Sequence, residues 1–267
     1  MTGTKLDGPA GPIITRLARF GFAAKGIVTI LIGALALRFA LGWGGSITGP
    51  QGAIEVLLDE PFGRTNLAVL AMGLAGYALW MFVGAIMDPE GKGTSFQGIA
   101  ERVAFLVTGA GFALLAYATV NLLFGAEGGG GTGLDDLAAT ILTPHLGRWF
   151  VGLVGAFVMI AGLLQLRLGI TAGFRHILRP GLSRVARVAV VASGVVGYVT
   201  LGVLSLMVGY SLVEVAIRYD PSRAGGWDDA LTILAGLGED RWLLGIVSAG
   251  LIFYGFYFVL LMRYRTL

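Results

Sequence analysis

Apolar residues occur along this chain in long uninterrupted blocks, not in the alternating or one-faced patterns of soluble strands and helices. Six windows stand out: Phe20–Leu41, Asn66–Met87, Val103–Phe124, Trp149–Leu168, Val188–Val213 and Trp242–Met262. A membrane-spanning helix needs about 20 mainly apolar residues, and every window meets that length. Each is apolar around most of its circumference, whereas the helix of a soluble bundle keeps one polar face. Proline is absent from all six, while Pro50, Pro61, Pro89, Pro144, Pro180 and Pro221 fall between them. The pattern predicts an all-α integral membrane protein with six transmembrane helices.

Composition sharpens this picture. Hydrophobic residues make up 56% of the chain and charged residues 13%, against about 25% charged in soluble domains. The 44 glycines among 267 residues suit membrane helices whose backbones approach closely. Such an apolar chain is not a disordered, low-complexity one. The absence of cysteine removes disulfides, thiolate zinc sites, iron–sulfur clusters and cysteine nucleophiles. The opening MTGTKLDGPAGPIITRLAR is too polar for a signal-peptide core and runs straight into a full-length span. The first span is therefore expected to be retained and to serve as the insertion signal.

The net charge of +3 conceals a strong asymmetry. One set of flanks collects 13 basic residues, from Lys5 and Arg16 to Arg263 and Arg265, against four acids: Asp7, Asp88, Glu90 and Glu101. The opposite flanks hold six arginines against the other 12 acids. Because short basic flanks stay on the cytoplasmic side, both termini are expected there.

The windows also repeat. Aligning Arg19, Arg102 and Arg187, each at the opening of an odd-numbered span, brings Gly26, Gly109 and Gly194 into register seven residues later. The even-numbered spans open at Arg64, Arg148 and Arg241. Small residues follow at matched offsets: Ala68, Gly152 and Gly245; Ala71, Gly155 and Ser248; Ala78, Gly162 and Gly255. At about 100° per residue these fall on one arc of the helix, a stripe where another backbone can lie close. A three-fold repeat of a two-helix unit follows, with units at 1–95, 96–178 and 179–267. Units with two spans enter the membrane the same way up, which predicts parallel hairpins in a pseudo-three-fold arrangement.

The repeat carries a resemblance. RLARFGFAAKGIVTILIG, the series EPFGR, GLAGYALW and DPEG, then HLGRW with GLLQLRLGITAGF, and finally WDDALTILAG with RWLLGIVSAGLIFYGFY and RYR together resemble the bacterial domain-of-unknown-function family 1206. The third unit departs from the pattern, with GLGEDRW where the first has EPFGR. The resemblance implies a bacterial inner-membrane protein built of three tandem two-helix repeats. It supplies no catalytic residues.

Several residues invite a functional reading. Lys25 lies six residues past Arg19, roughly 9 Å deeper at 1.5 Å per residue. A charge at such depth marks a functional site by default, yet a lysine near a helix end also snorkels to the headgroups. The same offset in the other units falls on Thr108 and Ser193, so an inward polar ring of Lys25, Thr108 and Ser193 stands beside the snorkelling reading. On the opposite side, AIEVLLDE, LDDLAATIL and WDDALTILAG place Glu55, Asp136 and Asp229 in short amphipathic segments expected to lie at the interface. These acids either favour the positive end of a short helix or form a carboxylate ring that draws cations. Pairing with Arg64, Arg148 and Arg241 is a further expectation.

Much is excluded. His145 and His176 fall on opposite sides of the fourth window, too far apart across about 30 Å of hydrocarbon to share a metal. No HExxH, phosphate-binding glycine loop or nucleophile elbow occurs. GGGGTG at 128–133 has no accompanying lysine or strand and reads as a linker. The basic connector RLGITAGFRHILRPGLSRVAR suits anionic lipid headgroups. The chain is therefore expected to be no enzyme, to use no cofactor or metal, and to bind no nucleic acid. Its expected partners are membrane lipids and other membrane subunits or further copies of itself. A structural or accessory role in a membrane complex is the leading reading, and a channel or carrier for a small solute or ion is the alternative.

Overall fold

A computed structural model describes residues 11–88, 93, 95–124, 147–218, 227–236 and 241–265. Among them are eight α-helices. Six are long: α1 (Gly11–Ala40), α3 (Gly63–Met87), α4 (Phe96–Leu123), α5 (Gly147–Thr171), α6 (Arg184–Arg218) and α8 (Trp242–Tyr264). All six are long and apolar enough to cross a membrane, one for each predicted window. Each overruns its apolar window at one end or both, because backbone hydrogen bonding continues through polar residues at the interface. Two helices are short: α2 (Pro50–Leu58) and α7 (Trp227–Gly236). A 3-10 turn at Gly173–Ile177 follows α5.

The starts are set by local chemistry. Ser95 caps α4 by accepting from the Gly98 N–H at 3.2 Å, and Ser183 accepts from the Ala186 N–H at 3.3 Å as α6 begins. Such caps satisfy amide donors that have no partner inside the helix. Pro50 opens α2, where its missing N–H costs nothing.

The long helices pack in a defined order: α4 on α3, α3 on α1, α1 on α8, α8 on α6, and α6 on α5. The two helices of the second unit, α4 and α5, are not among the packed pairs. Three of these seams join different units: α1 with α8, α3 with α4, and α5 with α6.

Glycine sets two of them. A Cβ built on Gly26 would lie 2.6 Å from the Gly255 carbonyl oxygen, and one on Gly255 would lie 2.6 Å from that of Gly26. Two turns further along α1, a Cβ on Gly33 would meet the Ser248 carbonyl at 2.8 Å. Between α5 and α6 the same reciprocity appears twice. Gly162 and Gly202 face one another at 2.9 Å in both directions, and Gly155 faces Gly209 at 2.9 and 2.8 Å. Backbones this close leave no room for a side chain, which is what small residues contribute inside a membrane.

These pairs correct the repeat register. Gly162 and Gly255 occupy matched positions of their units; their partners are Gly202 and Gly26. Gly202, not Gly194, is thus the counterpart of Gly26, eight residues further along the chain. The alignment on Arg187 failed because α6 runs for 35 residues and its first arginines lie well before the glycines at which it meets α5. An arginine marks where a helix leaves the apolar layer; the packing register is set where backbones meet. The small-residue stripe is also narrower than its offsets suggest. A Cβ on Gly152 would approach only Ala216, at 3.2 Å, and one on Gly245 only Ala40, at 3.9 Å.

At the acid-rich end the interior is hydrocarbon. One buried cluster includes Val28 and Ile32 of α1, Ile54 of α2, Leu67 and Leu74 of α3, Ala116 of α4, Leu204 of α6, Leu231 of α7 and Leu251 of α8. The short helices each turn one face into it: Ala53 and Ile54 from α2, and Ala230, Leu231 and Leu234 from α7, are buried. The buried hydroxyls are satisfied within their own helices. Thr29 donates to the Lys25 carbonyl at 2.9 Å, Thr119 to Leu115 at 2.7 Å and Ser248 to Leu244 at 2.6 Å. Back-bonding of this kind removes the need for water.

Candidate functional site

The other half of the bundle holds an aromatic cluster: Phe22, Tyr77, Trp80, Phe174, Tyr254, Tyr257 and Phe258, with Phe105, Phe112 and Tyr198 packed against it. Lys25 points into this cluster. Its ammonium donates to the Tyr77 hydroxyl at 3.0 Å. It also lies 4.1 Å from the centroid of Phe258, 4.8 Å from Tyr77, 5.3 Å from Phe112 and 5.7 Å from Tyr254. The rings come from α1's neighbours α3 and α8, and from α4.

Small residues flanking Lys25 draw the cage closed. A Cβ on Gly21 would strike the Tyr77 backbone, with its Cα only 2.6 Å away, so α3 can press Tyr77 against α1. Gly26 admits Gly255, bringing α8 and the nearby Phe258 down onto Lys25. Tyr77, Phe112 and Phe258 then brace one another edge to face: Tyr77–Phe112 centroids are 4.6 Å apart and Tyr77–Phe258 centroids 6.2 Å. The segment GFAAKG thus sets a cation among small residues so that bulky rings from other helices can surround it.

The electrostatics follow from ring chemistry. An aromatic face is negative, and a desolvated cation over one gains about 2 kcal/mol or more; hydrogen bonds to charged groups add about 1.5–3 kcal/mol each. Four faces and one hydroxyl therefore stand in for a carboxylate counter-ion. An ammonium, a hydroxyl bonded to it and hydrocarbon rings suit burial of charge.

This arrangement differs from both sequence expectations for Lys25. The ammonium does not extend along the helix toward headgroups but is held inside. Nor do Thr108 and Ser193 encircle it. Neither residue hydrogen-bonds to Lys25; Thr108 is half-buried beside Gly109, which faces Met81 and Phe82. Ser193 is buried beside Gly194, which packs on Phe174 and Tyr257. In the corrected register the counterpart of Lys25 in the third unit is Leu201, an apolar residue. The cage aromatics escaped the sequence reading, although a signal exists. Tyr77 and Tyr254 both stand 13 residues after the arginines that open their spans, Arg64 and Arg241.

A second cation lies nearby. The Arg265 guanidinium sits 4.9 Å from the Phe22 centroid and 5.9 Å from that of Trp80, while its backbone forms an antiparallel bridge with Leu178. Phe22 in turn lies 5.6 Å from Tyr77 and 6.0 Å from Phe258. One aromatic layer therefore carries Lys25 on one part and Arg265 on another.

At the acid-rich end the proposed pairs are scattered. Glu55 is the sixth residue of α2 and exposed, Arg64 is exposed, and neither forms an ion pair among the described residues. Asp229 lies in the first turn of α7 with Asp228. Arg241 turns its guanidinium onto Phe39 at 4.4 Å, fastening the start of α8 to the end of α1. Asp136 and the side chain of Arg148 lie outside the described residues, as does His145.

Comparison with known proteins bears on this geometry. The profile of the Domain of Unknown Function (DUF1206) matches three times, at residues 20–88, 103–172 and 196–265. The chain belongs to the DUF1206 family. The matched stretches begin one residue after Arg19 and Arg102 but eight residues later than an alignment on Arg187 would give, in agreement with the glycine pairs. Among curated proteins, "Uncharacterized protein YxxB" of Bacillus subtilis (strain 168) is 31% identical over 258 residues, covering 96% of this chain and 93% of that protein. No solved structure matches the chain.

Proposed function

We propose that this DUF1206 protein is a non-enzymatic structural or accessory component of a complex in the bacterial inner membrane, with both termini cytoplasmic. The observation that carries the reading is the continuous apolar cluster at the acid-rich end, closed over by α2 and α7, whose hydroxyls are satisfied inside their own helices. A solute path needs polar lining, and this half of the bundle spends its polar groups on itself. The charge asymmetry of the flanks supports the orientation. The three seams between units, two of them with matched glycine pairs, support parallel hairpins about a pseudo-three-fold axis. The partners proposed are membrane lipids and other membrane subunits or further copies of this chain, without nucleic acid.

Purification of the full chain from its native membrane in mild detergent tests the role. A stoichiometric protein partner, or a stable homo-oligomer, is the expected result. The chain alone as a monomer, together with solute or ion flux in proteoliposomes, would overturn it in favour of a channel or carrier. That second reading has one feature on its side: among the described residues, α4 and α5 are not one of the closely packed pairs.

A further inference from the structure

Arg102 shows what the arginine opening an odd span does for its neighbour. Its Nε donates to the Ala85 carbonyl at 2.6 Å and its Nη2 to that of Ile86 at 3.2 Å, closing the last carbonyls of α3. Such carbonyls have no partner within their own helix. Arg19 occupies the same place in the first unit, and α1 runs along α8 as α4 runs along α3. Yet the Nε of Arg19 is buried and has no hydrogen-bond partner among the described residues.

At the end of α8 it is Arg179, from the segment after α5, that bonds carbonyls. The Arg179 N–H donates to the Tyr264 carbonyl at 2.9 Å, and the Arg179 Nε to that of Arg265 at 3.3 Å. The Arg265 N–H donates to Leu261 at 3.1 Å. One turn along α1 from Arg19, the face of Phe22 carries the Arg265 guanidinium. Of the acids at this end, Asp88 accepts from the Gly93 N–H at 2.8 Å beyond α3 and Glu101 stands in α4 beside Arg102. Asp7 and Glu90 lie outside the described residues.

A buried donor without an acceptor in a native fold calls for a bound water, ion or ligand. A guanidinium fork matches phosphate oxygens, and this rim of the bundle lies at headgroup level in the membrane placement proposed above, on which the inference rests. We propose that Arg19 holds a phosphate group at the basic end of the α1–α8 seam. The chemistry is that of a phosphate ester, supplied either by an anionic phospholipid headgroup or by a soluble phosphate compound.

The test uses the full-length protein, delipidated in mild detergent and examined by native mass spectrometry. Phosphatidylglycerol or inorganic phosphate is then added. Wild type should retain one phosphatidylglycerol, and Arg19→Met should weaken retention about tenfold, the worth of one charge-assisted hydrogen bond. Arg187→Met, which removes an exposed arginine of the same end, should retain lipid like wild type. Displacement of the lipid by inorganic phosphate assigns the site to soluble phosphate; resistance to displacement assigns it to the headgroup. Equal retention by wild type and Arg19→Met, or equal loss in both variants, would overturn the proposal. Should Arg19→Met fail to fold, Arg19→Lys keeps the charge without the fork, and unchanged retention there would overturn it equally. Because no flux or protein partner enters this readout, its failure is separable from failure of the proposed role.

Discussion

Gly26 and Gly255 lie so close across the α1–α8 seam that a Cβ on either would come within 2.6 Å of the other's carbonyl oxygen. They stand 229 positions apart in the chain and join its first helix to its last. Closing the first and third units together in this way positions Phe258 over Lys25, so the seam and the cage are one construction.

Replacing Gly255 with leucine should therefore destabilise the fold by more than the roughly 1–3 kcal/mol usual for overpacking, because both helix backbones must separate. Gly245→Leu, which faces only Ala40 at 3.9 Å, should cost far less. Thermal unfolding in detergent compares them directly. Equal losses would mean that the two helices do not meet at Gly26.

The cage makes opposite demands on the lysine and its rings. Lys25→Met should change stability by less than about 1 kcal/mol or raise it, since replacing a buried charge with an apolar chain of similar length removes its desolvation cost. Tyr77→Phe keeps the charge and loses the hydrogen bond at 3.0 Å, costing about 1.5–3 kcal/mol. Phe258→Ala opens a cavity over the ammonium and should cost about 3–5 kcal/mol. In the double variant with Lys25→Met, the Tyr77→Phe penalty should largely vanish. A full penalty in that background would show that the hydroxyl serves something else.

Between α5 and α6 the Ser205 hydroxyl donates to Gln165 Oε1 at 3.0 Å. Cysteines at positions 165 and 205 should be joined by a short bifunctional reagent, and the chain's lack of native cysteine makes the product unambiguous on a gel after proteolysis between them. No product would mean that the second and third units meet elsewhere.

Reporter fusions placed after Ser95 and Leu178 should read cytoplasmic, while those after Ile47 and Gly225 should read external. The flanks differ by enough basic residues to set the orientation. A fusion after Ser95 that read external would reverse the first hairpin and with it the proposed sidedness.

The number of spans, their approximate positions and the two-helix repeat could all be read in the chain before any fold was known. Whether about 20 consecutive residues suit hydrocarbon depends on those residues alone, and so does the charge of each short flank. Small residues at matched offsets likewise announced that backbones would meet. Only the tertiary structure decided which of them met which. Gly155 and Gly162 are packed while Gly152 is nearly open, because a few tens of degrees of helix rotation separate a seam from its margin. Tertiary packing also moved the third unit's register by eight residues, making Leu201 and not Ser193 the counterpart of Lys25. The depth at which a long helix such as α6 engages its neighbours is settled by those neighbours and not by its first arginine. The cage followed for the same reason. Its rings come from α3, α4 and α8, and their convergence on one ammonium depends on the relative depth and rotation of four helices, a quantity that no local stretch of sequence contains.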